Sequence, residues 1–279
     1  MLRRTFASLI PAVAATGPVW SQNRSDWDKP FPPHKIAGNL YYVGTEGLST
    51  YLITSSQGHI LINSSFERTV PMINAAIEKL GFKYSDVKIL LGSHAHGDHM
   101  AGNWLVKEQT AAKVYVMKGD DELIRKGGSG GFNKPCVVDK VLEDGEKVTH
   151  GGTALTAVLT PGHTPGCTTW TIEVNDDGVK RLAVIVGSPN VNAGTKLVGN
   201  TAYPQIAADY EKAFKVWKAI PCDIFLGAHG NYYGMVSKYE RWKADPKLKV
   251  WVDPAGYKAY IGEREQAFHA EWERQKRSA

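Results

Sequence analysis

Several features that define other protein classes are missing from this sequence. No internal stretch approaches the ~20 consecutive apolar residues of a membrane-spanning helix, because glycine, proline or a charged residue interrupts every hydrophobic run. The formal net charge is only +5, and the basic residues are spread along the chain without a dense cluster. We therefore expect neither a membrane nor a nucleic acid as a partner.

Cysteine is also scarce. The sequence has three, Cys136, Cys167 and Cys222, and none belongs to a Cys-x-x-Cys pair. A small fold held together by disulfides is thereby excluded. At most one disulfide can form, which leaves one thiol over.

The N-terminal residues differ in composition from the rest of the chain. Arg3 and Arg4 precede a weakly apolar run at residues 6–15, and the small residue Ser21 offers a cleavage point. This order is typical of a secretion signal, and Arg-Arg-Thr-Phe resembles a twin-arginine signal; a disordered N-terminus is the alternative. We predict a signal peptide over residues 1–21 and a periplasmic or secreted mature protein.

The remaining chain, residues 22–279, is predicted to form a single domain. Predicted helices begin near Pro71 and Pro204, and a third runs from Tyr257 to Trp272. Apolar runs bounded by turn residues predict strands at residues 40–43, 50–53, 59–62, 88–91, 154–159, 168–174, 181–186 and 224–226. Strands followed by covering helices, twice over, favour an α/β protein with an αββα four-layer sandwich.

Four potential metal ligands are crowded into the string His-Ala-His-Gly-Asp-His at residues 94–99. The string directly follows a predicted buried strand. In an extended strand end, residues two apart point the same way, so His94 and His96 can converge on one ion. The turn that follows lets Asp98 and His99 face a second ion.

Two further histidines are placed to reach the same cleft. His163 lies in the turn Thr-Pro-Gly-His-Thr-Pro-Gly, and His229 lies in Gly-Ala-His-Gly. Each is on a loop of small residues just beyond a predicted strand. The remaining histidines are interpreted as ordinary structural residues: His34, His59, His150 and His269.

The residue types in this cluster favour zinc. Histidine nitrogens with a carboxylate suit Zn²⁺, and catalytic zinc sites commonly use three protein ligands with one open position. A structural zinc site is the alternative, but such sites are usually closed and rich in cysteine, whereas this segment has none. The sequence therefore predicts a catalytic zinc centre.

The string at residues 94–99, with His163 in Gly-His-Thr and the later His229, resembles the signature of the metallo-β-lactamase superfamily. That resemblance implies the αββα sandwich and two zinc ions per chain. It also implies the ligand sets: His94, His96 and His163 for one ion, and Asp98, His99 and His229 for the other.

Position 188 narrows the resemblance to subclass B3. Many relatives, including thioesterases and lactonases, carry a metal-bridging aspartate after the strand at residues 181–186, and lactamases of the first two subclasses place a cysteine ligand there. This chain has Ser188 instead. The similarity to subclass B3 covers nearly the whole mature chain, including Gly-Asn-Leu-Tyr-Tyr-Val-Gly at residues 38–44.

The chain departs from the subclass pattern at two places. Asn190 stands where many B3 members have a second serine that helps to bind the substrate carboxylate. No cysteine follows Cys222, so the disulfide of many members is absent, and only a Cys136–Cys167 pair stays open.

The resemblance implies hydrolysis of the β-lactam amide bond of penicillins, cephalosporins and carbapenems by a metal-bound hydroxide, which would confer antibiotic resistance. Asp98 would orient the hydroxide, besides binding metal. Ser188, Asn190 and Thr164 would bind the substrate carboxylate; for the first two, a role only in the turn around Pro189 is the alternative.

We expect a monomer acting on a small molecule. The functional alternatives are a thioesterase or lactonase on the same scaffold, or an inactive zinc-binding protein.

Overall fold

The computed structural model of the protein describes residues 26–127 and 134–278. The predicted signal peptide at residues 1–21 lies outside the described residues. So do residues 128–131 of a glycine-rich segment that the sequence predicts to be a loop.

Two β-sheets lie face to face at the centre of the domain. The first has seven strands in the order in which they occur along the chain: β1 His34–Ala37, β2 Leu40–Tyr42, β3 Tyr51–Ile53, β4 His59–Ile62, β5 Val87–Leu91, β6 Lys113–Met117 and β7 Lys140–Leu142. The second has five strands in the spatial order β12-β11-β10-β9-β8: β8 Lys147–His150, β9 Thr153–Leu159, β10 Thr168–Asp176, β11 Val179–Val186 and β12 Ile224–Gly227.

Helices cover the outer faces of both sheets. The seven α-helices of the described residues are α1 Val70–Lys79, α2 Gly97–Met100, α3 Asn103–Thr110, α4 Asp121–Lys126, α5 Ile206–Ala219, α6 Met235–Ala244 and α7 Pro254–Ser278. None of the described helices is long and apolar enough to cross a membrane.

The layers follow from the alternation of side chains along each strand. Ile60 and Ile62 of β4 pack in the same apolar cluster as Ile172 of β10. Leu61, which lies between them in β4, packs on the other face with residues of α1 and α3. In the second sheet, Trp170 donates its indole N–H to the carbonyl oxygen of Gly92 beyond β5, at 3.0 Å. The hydroxyl of the adjacent Thr169 instead accepts a hydrogen bond from the indole N–H of Trp217 in α5, at 2.8 Å. The αββα sandwich is confirmed.

The open disulfide alternative is resolved by the positions of the cysteines. Cys136 and Cys167 are both free and buried. Cys136 packs in the cluster beneath α1 and α3, while the Cys167 sulfur lies 3.8 Å from the carbonyl oxygen of Ser188, beside the second sheet. They do not pair because each belongs to a different part of the sandwich.

Candidate metal centre

The predicted ligands lie on loops that extend from the ends of three strands. Residues 94–99 follow β5 and run into α2, His163 follows β9, and His229 follows β12. Backbone hydrogen bonds anchor these loops: the Thr168 amide at the start of β10 donates to the Ser93 carbonyl, at 2.8 Å, and the Ser49 amide before β3 donates to the Ala228 carbonyl, at 3.0 Å. Ligands that are far apart in sequence are thereby brought to one edge of the sandwich.

His94, His96 and His163 form the first ligand group. Their ligand atoms all lie within 4.8 Å of one another. Nε2 of His163 is 3.1 Å from Nδ1 of His96. On its other side, Nδ1 of His163 lies 2.7 Å from the carbonyl oxygen of Asn190. A carbonyl can only accept, so Nδ1 carries the proton and the Nε2 lone pair faces the other histidines.

Asp98, His99 and His229 form the second ligand group. Nε2 of His99 lies 3.1 Å from Nε2 of His229. Oδ2 of Asp98 lies 3.3 Å from Nε2 of His99 and 3.5 Å from Nε2 of His229. Ligand atoms of His94 are also within 4.8 Å of those of Asp98 and His99, so the two groups are contiguous.

The electrostatics of the cluster favour metal binding. Burial lowers the pKa of both His163 and His229 to about 3, and it lowers the pKa of His94 well below its usual value. These imidazoles are therefore neutral at physiological pH and have a free lone pair. Burial alone would raise the pKa of Asp98, but the neighbouring His99 and His229 lower it far below its usual range. Asp98 is therefore ionised.

This set of donors fits zinc. Imidazole nitrogens of His96, His99, His163 and His229 and one carboxylate oxygen of Asp98 approach one another at 3.1 to 3.5 Å. Imidazole nitrogens and a carboxylate packed this closely cannot all satisfy one another by hydrogen bonds, whereas a divalent cation would accept their lone pairs. The centre is also accessible from one side: His94, His99 and His229 are buried, while His96, Asp98 and His163 are only half-buried.

The predicted substrate contacts lie beside this centre. Ser188 is buried, and its hydroxyl oxygen is 3.3 Å from that of Tyr232. Asn190 is half-buried, and its backbone carbonyl oxygen accepts hydrogen bonds from Nδ1 of His163 and from the Tyr210 hydroxyl, each at 2.7 Å. Asn190 thus has a role in orienting a ligand that the sequence does not predict.

Thr164 has a different environment from the one predicted. It is buried, and its hydroxyl donates to a carboxylate oxygen of Asp120 at 2.7 Å. Because its hydroxyl proton is donated to Asp120, Thr164 cannot at the same time donate to a substrate carboxylate as the sequence predicts.

Sequence reasoning missed Asp120 altogether. This buried carboxylate also accepts hydrogen bonds from the backbone amides of Ala95, at 2.7 Å, and Gly166, at 2.9 Å. Burial raises the pKa of Asp120 to about 6, against the opposing effect of its three donors. Its only sequence signal is an aspartate next to a glycine after a strand, which is an ordinary turn signal.

Aromatic residues border the second ligand group and were also not predicted. The ring centroids of Tyr232 and Trp27 lie 5.0 and 5.8 Å from the ring centroid of His229. The ring centroid of Phe66 lies 5.9 Å from that of Trp27.

Comparisons with known proteins agree with this geometry. A family model described as the metallo-β-lactamase superfamily matches residues 43–177. The native FEZ-1 metallo-β-lactamase from Legionella gormanii is 50% identical, with a TM-score of 0.88, over 89% of this chain and 98% of that one. BJP-1, a subclass B3 metallo-β-lactamase of Bradyrhizobium japonicum, is 35% identical, with a TM-score of 0.86, over 91% and 98% of the two chains. This chain belongs to the subclass B3 metallo-β-lactamases.

Family membership leaves the substrate open. Among curated relatives, the human mitochondrial persulfide dioxygenase ETHE1 is 29% identical over 205 residues, which cover 72% of this B3 chain and 71% of that protein. The superfamily scaffold therefore supports several chemistries, and the substrate of this hydrolase must be argued from its site.

Proposed function

We propose that this enzyme hydrolyses the amide bond of β-lactams, including penicillins, cephalosporins and carbapenems, and so confers antibiotic resistance. The observation that carries the proposal is the composition of the second ligand group. Among the described residues, no further acid or thiol joins Asp98, His99 and His229, and Ser188 occupies the position where other superfamily members place a metal-binding carboxylate or cysteine. The similarity to FEZ-1 over nearly its whole length supports the same activity.

The proposed cofactor is two zinc ions, one held by each ligand group. When bound, zinc supplies an activated water as nucleophile and polarises the carbonyl of the substrate. The protein contributes the orientation of the ligands: the bond from His163 to the Asn190 carbonyl fixes the ring so that its unprotonated nitrogen faces the centre.

Asp98 is proposed to act on the attacking water as well as to bind metal. Its Oδ2 faces His99 and His229, and the residue is half-buried on the open side of the centre. The ionised carboxylate can therefore accept a hydrogen bond from the water and orient it.

Ser188 and Asn190 are proposed to bind the carboxylate that β-lactams carry. The Ser188 hydroxyl shares its hydrogen bond with Tyr232, and the half-buried Asn190 has a side-chain amide that can donate. Such polar groups beside an open centre would fix the orientation of the substrate.

The direct test is hydrolysis of a carbapenem and a cephalosporin by purified protein, followed by ultraviolet absorbance. Turnover is measured before chelation, after chelation and after zinc is restored. We expect rapid turnover that is lost on chelation and recovered with zinc. No turnover by protein with two bound zinc ions would contradict the proposal. In that event, activity on thioesters or lactones would identify a different hydrolase, and inactivity on all of them would indicate a zinc-binding protein.

We further propose that the mature enzyme is a monomer that begins after residue 21 and acts in the periplasm or outside the cell. The N-terminal mass and the oligomeric state of protein recovered from the periplasm and the medium test this. Intact residues 1–21 on an active cytoplasmic protein would contradict it.

A further inference from the structure

We propose that Asp120 is a positioning residue that fastens together the two loops carrying His94, His96 and His163, and thereby sets the metal affinity of this first ligand group. The inference rests on the metal centre of the proposed function. Asp120 contacts neither a metal-facing atom nor a substrate position. It acts through the backbone of the ligand loops.

All the side-chain hydrogen bonds of Asp120 lead to these loops. Its Oδ2 accepts from the Ala95 amide and the Thr164 hydroxyl, each at 2.7 Å, and its Oδ1 accepts from the Gly166 amide at 2.9 Å. Ala95 separates two ligands of the first group, and Thr164 directly follows the third. Every ligand of that group is thus adjacent in sequence to a residue that donates to Asp120.

The place of Asp120 in the fold makes this arrangement unusual. It occupies the N-cap position of α4, where an aspartate side chain normally accepts a hydrogen bond from its own helix. Here the side chain makes no capping bond. Both oxygens are instead directed to the ligand loops, so the carboxylate has a role other than helix stability.

The packing around Asp120 leaves no space for adjustment. A Cβ added at Gly166 would lie 2.6 Å from the Asp120 backbone nitrogen and 2.8 Å from its Cβ. Gly119, at a φ of 100°, also lies close to the loop of His163, because a Cβ at this position would be 3.0 Å from the carbonyl carbon of Pro165. The turn that carries Asp120 is therefore packed tightly against the loop that carries His163, and the Asp120 carboxylate extends this attachment to the Ala95 amide.

The second ligand group provides the contrast. His99 and His229 are held by other contacts: the carbonyl of His99 accepts from the Ser64 and Ser65 amides, and His229 pairs with Leu48 across an isolated bridge. Loss of Asp120 should therefore weaken metal binding at the first group more than at the second. A carboxylate that only stabilised the fold would affect both groups alike.

The variants follow from the donors. Asp120→Asn replaces one accepting oxygen with an NH₂ group, which must then face a donor. Thr164→Val removes one donor while keeping the shape, and Thr164→Ser restores the hydroxyl. The matched control is Asp121→Asn, the same chemical change one residue along, because Asp121 accepts from the Gly119 amide at 3.3 Å and pairs with Arg125 at 3.8 Å, away from the ligand loops.

The measurement is zinc affinity of the metal-free protein in competition with a chromophoric chelator, without substrate. Each variant is also placed in a His229→Ala background, which leaves the first group complete, and in a His163→Ala background, which leaves the second complete. With the first group complete, we expect Asp120→Asn and Thr164→Val to lower zinc affinity by about tenfold or more. Thr164→Ser and Asp121→Asn should remain near the parent.

Two outcomes would overturn the proposal: equal losses in both backgrounds, or a loss in Thr164→Ser as large as in Thr164→Val. If Asp120→Asn does not fold, as judged by thermal unfolding of the metal-free protein, the two Thr164 variants decide the question. Because no substrate is involved, failure of the wild-type protein to hydrolyse β-lactams would contradict the proposed function and leave this test unaffected.

Discussion

His163 illustrates how one backbone carbonyl prepares a side chain for metal binding. The Asn190 carbonyl fixes the proton on Nδ1, and burial keeps the ring neutral, with a pKa of about 3. The lone pair on Nε2 is therefore available over the whole physiological pH range. Its ring orientation is set before any ion binds, which lowers the cost of assembling the site.

Removing this ligand should remove one metal ion. We expect His163→Ala to lower the zinc content from the proposed two ions per chain towards one and to abolish most of the proposed β-lactam turnover, because two remaining histidines are too few for the first group. Metal analysis and initial rates measure both effects. His150→Ala is the control, since this half-buried histidine bonds the Gln57 carbonyl, at 3.1 Å, outside the cluster. Normal zinc content and full activity in His163→Ala would refute the assignment.

Ser188 provides a prediction that separates substrate binding from metal binding. We expect Ser188→Ala to raise KM several-fold with zinc content unchanged, because one hydroxyl contact is worth about 1 kcal/mol. KM for several β-lactams and metal analysis test this. Ser237→Ala, an exposed hydroxyl bonded to the Gly234 carbonyl at 3.0 Å, is the control. An unchanged KM for every substrate would remove Ser188 from the binding site.

At the scale of elements, strands supply the framework and the turns after them carry the chemistry. Where two such turns meet, glycine allows the backbone to approach closely, as at Gly166. Within a helix the same residue has the opposite effect, because it adds only flexibility to the unfolded chain. At Gly262, inside α7, no heavy atom of the described residues beyond its chain neighbours and the adjacent helix backbone lies within 4 Å of the position that a Cβ would occupy.

These two glycines should respond in opposite directions to the same substitution. We expect Gly166→Ala to destabilise the protein by about 1–3 kcal/mol, because the added methyl overlaps Asp120. Gly262→Ala should stabilise it by about 0.5–1 kcal/mol through higher helix propensity. Urea unfolding of the metal-free variants measures both. If Gly166→Ala also raised the free energy of unfolding, the packing around Gly166 would be looser than the structure indicates.

At the scale of the whole molecule, a buried aromatic cluster joins β1 to the C-terminal half of the chain. The His34 ring is stacked between Tyr42, at 5.3 Å, and Trp251, at 5.1 Å, and it contacts Tyr239 and Trp242. Its Nδ1 donates to the Pro32 carbonyl, and its buried Nε2 has no hydrogen-bond partner within residues 26–127 and 134–278. Burial lowers the pKa of His34 to about 4.

This histidine should make stability depend on pH. The unfolded chain binds a proton at His34 below about pH 6.5, while the folded protein does so only below about pH 4. The free energy of unfolding should therefore be highest above pH 6.5 and fall as the pH is lowered to about 4, by up to about 3 kcal/mol from this residue. In His34→Phe that component should disappear, so the pH slope becomes shallower. Urea unfolding at several pH values tests this, and identical slopes would contradict it.

Much of the fold and the identity of the candidate ligands could be predicted from the sequence. Strand β4 begins and ends as predicted, and β5, β9 and β11 differ by one or two residues. These segments were visible because hydrophobic periodicity is a local property. Strands β1, β6, β7 and β8 were missed, since segments of three to five residues give little pattern. The six candidate ligands could be proposed because most stand together in one string.

Only the tertiary structure determined how those ligands are held. Asp120 reaches across 25 residues to Ala95 and 44 to Thr164, and His163 across 27 to the Asn190 carbonyl. The Asp120–Thr164 bond joins a loop of the first sheet to a loop of the second, and the other two bonds join loops that follow different strands of one sheet. Nothing in the local sequence encodes these distances. For the same reason Thr164 could be assigned to the substrate, and Cys136 and Cys167 could be left as a pair. Local sequence determined which groups can bind metal, and the packing of the sandwich determined their orientation.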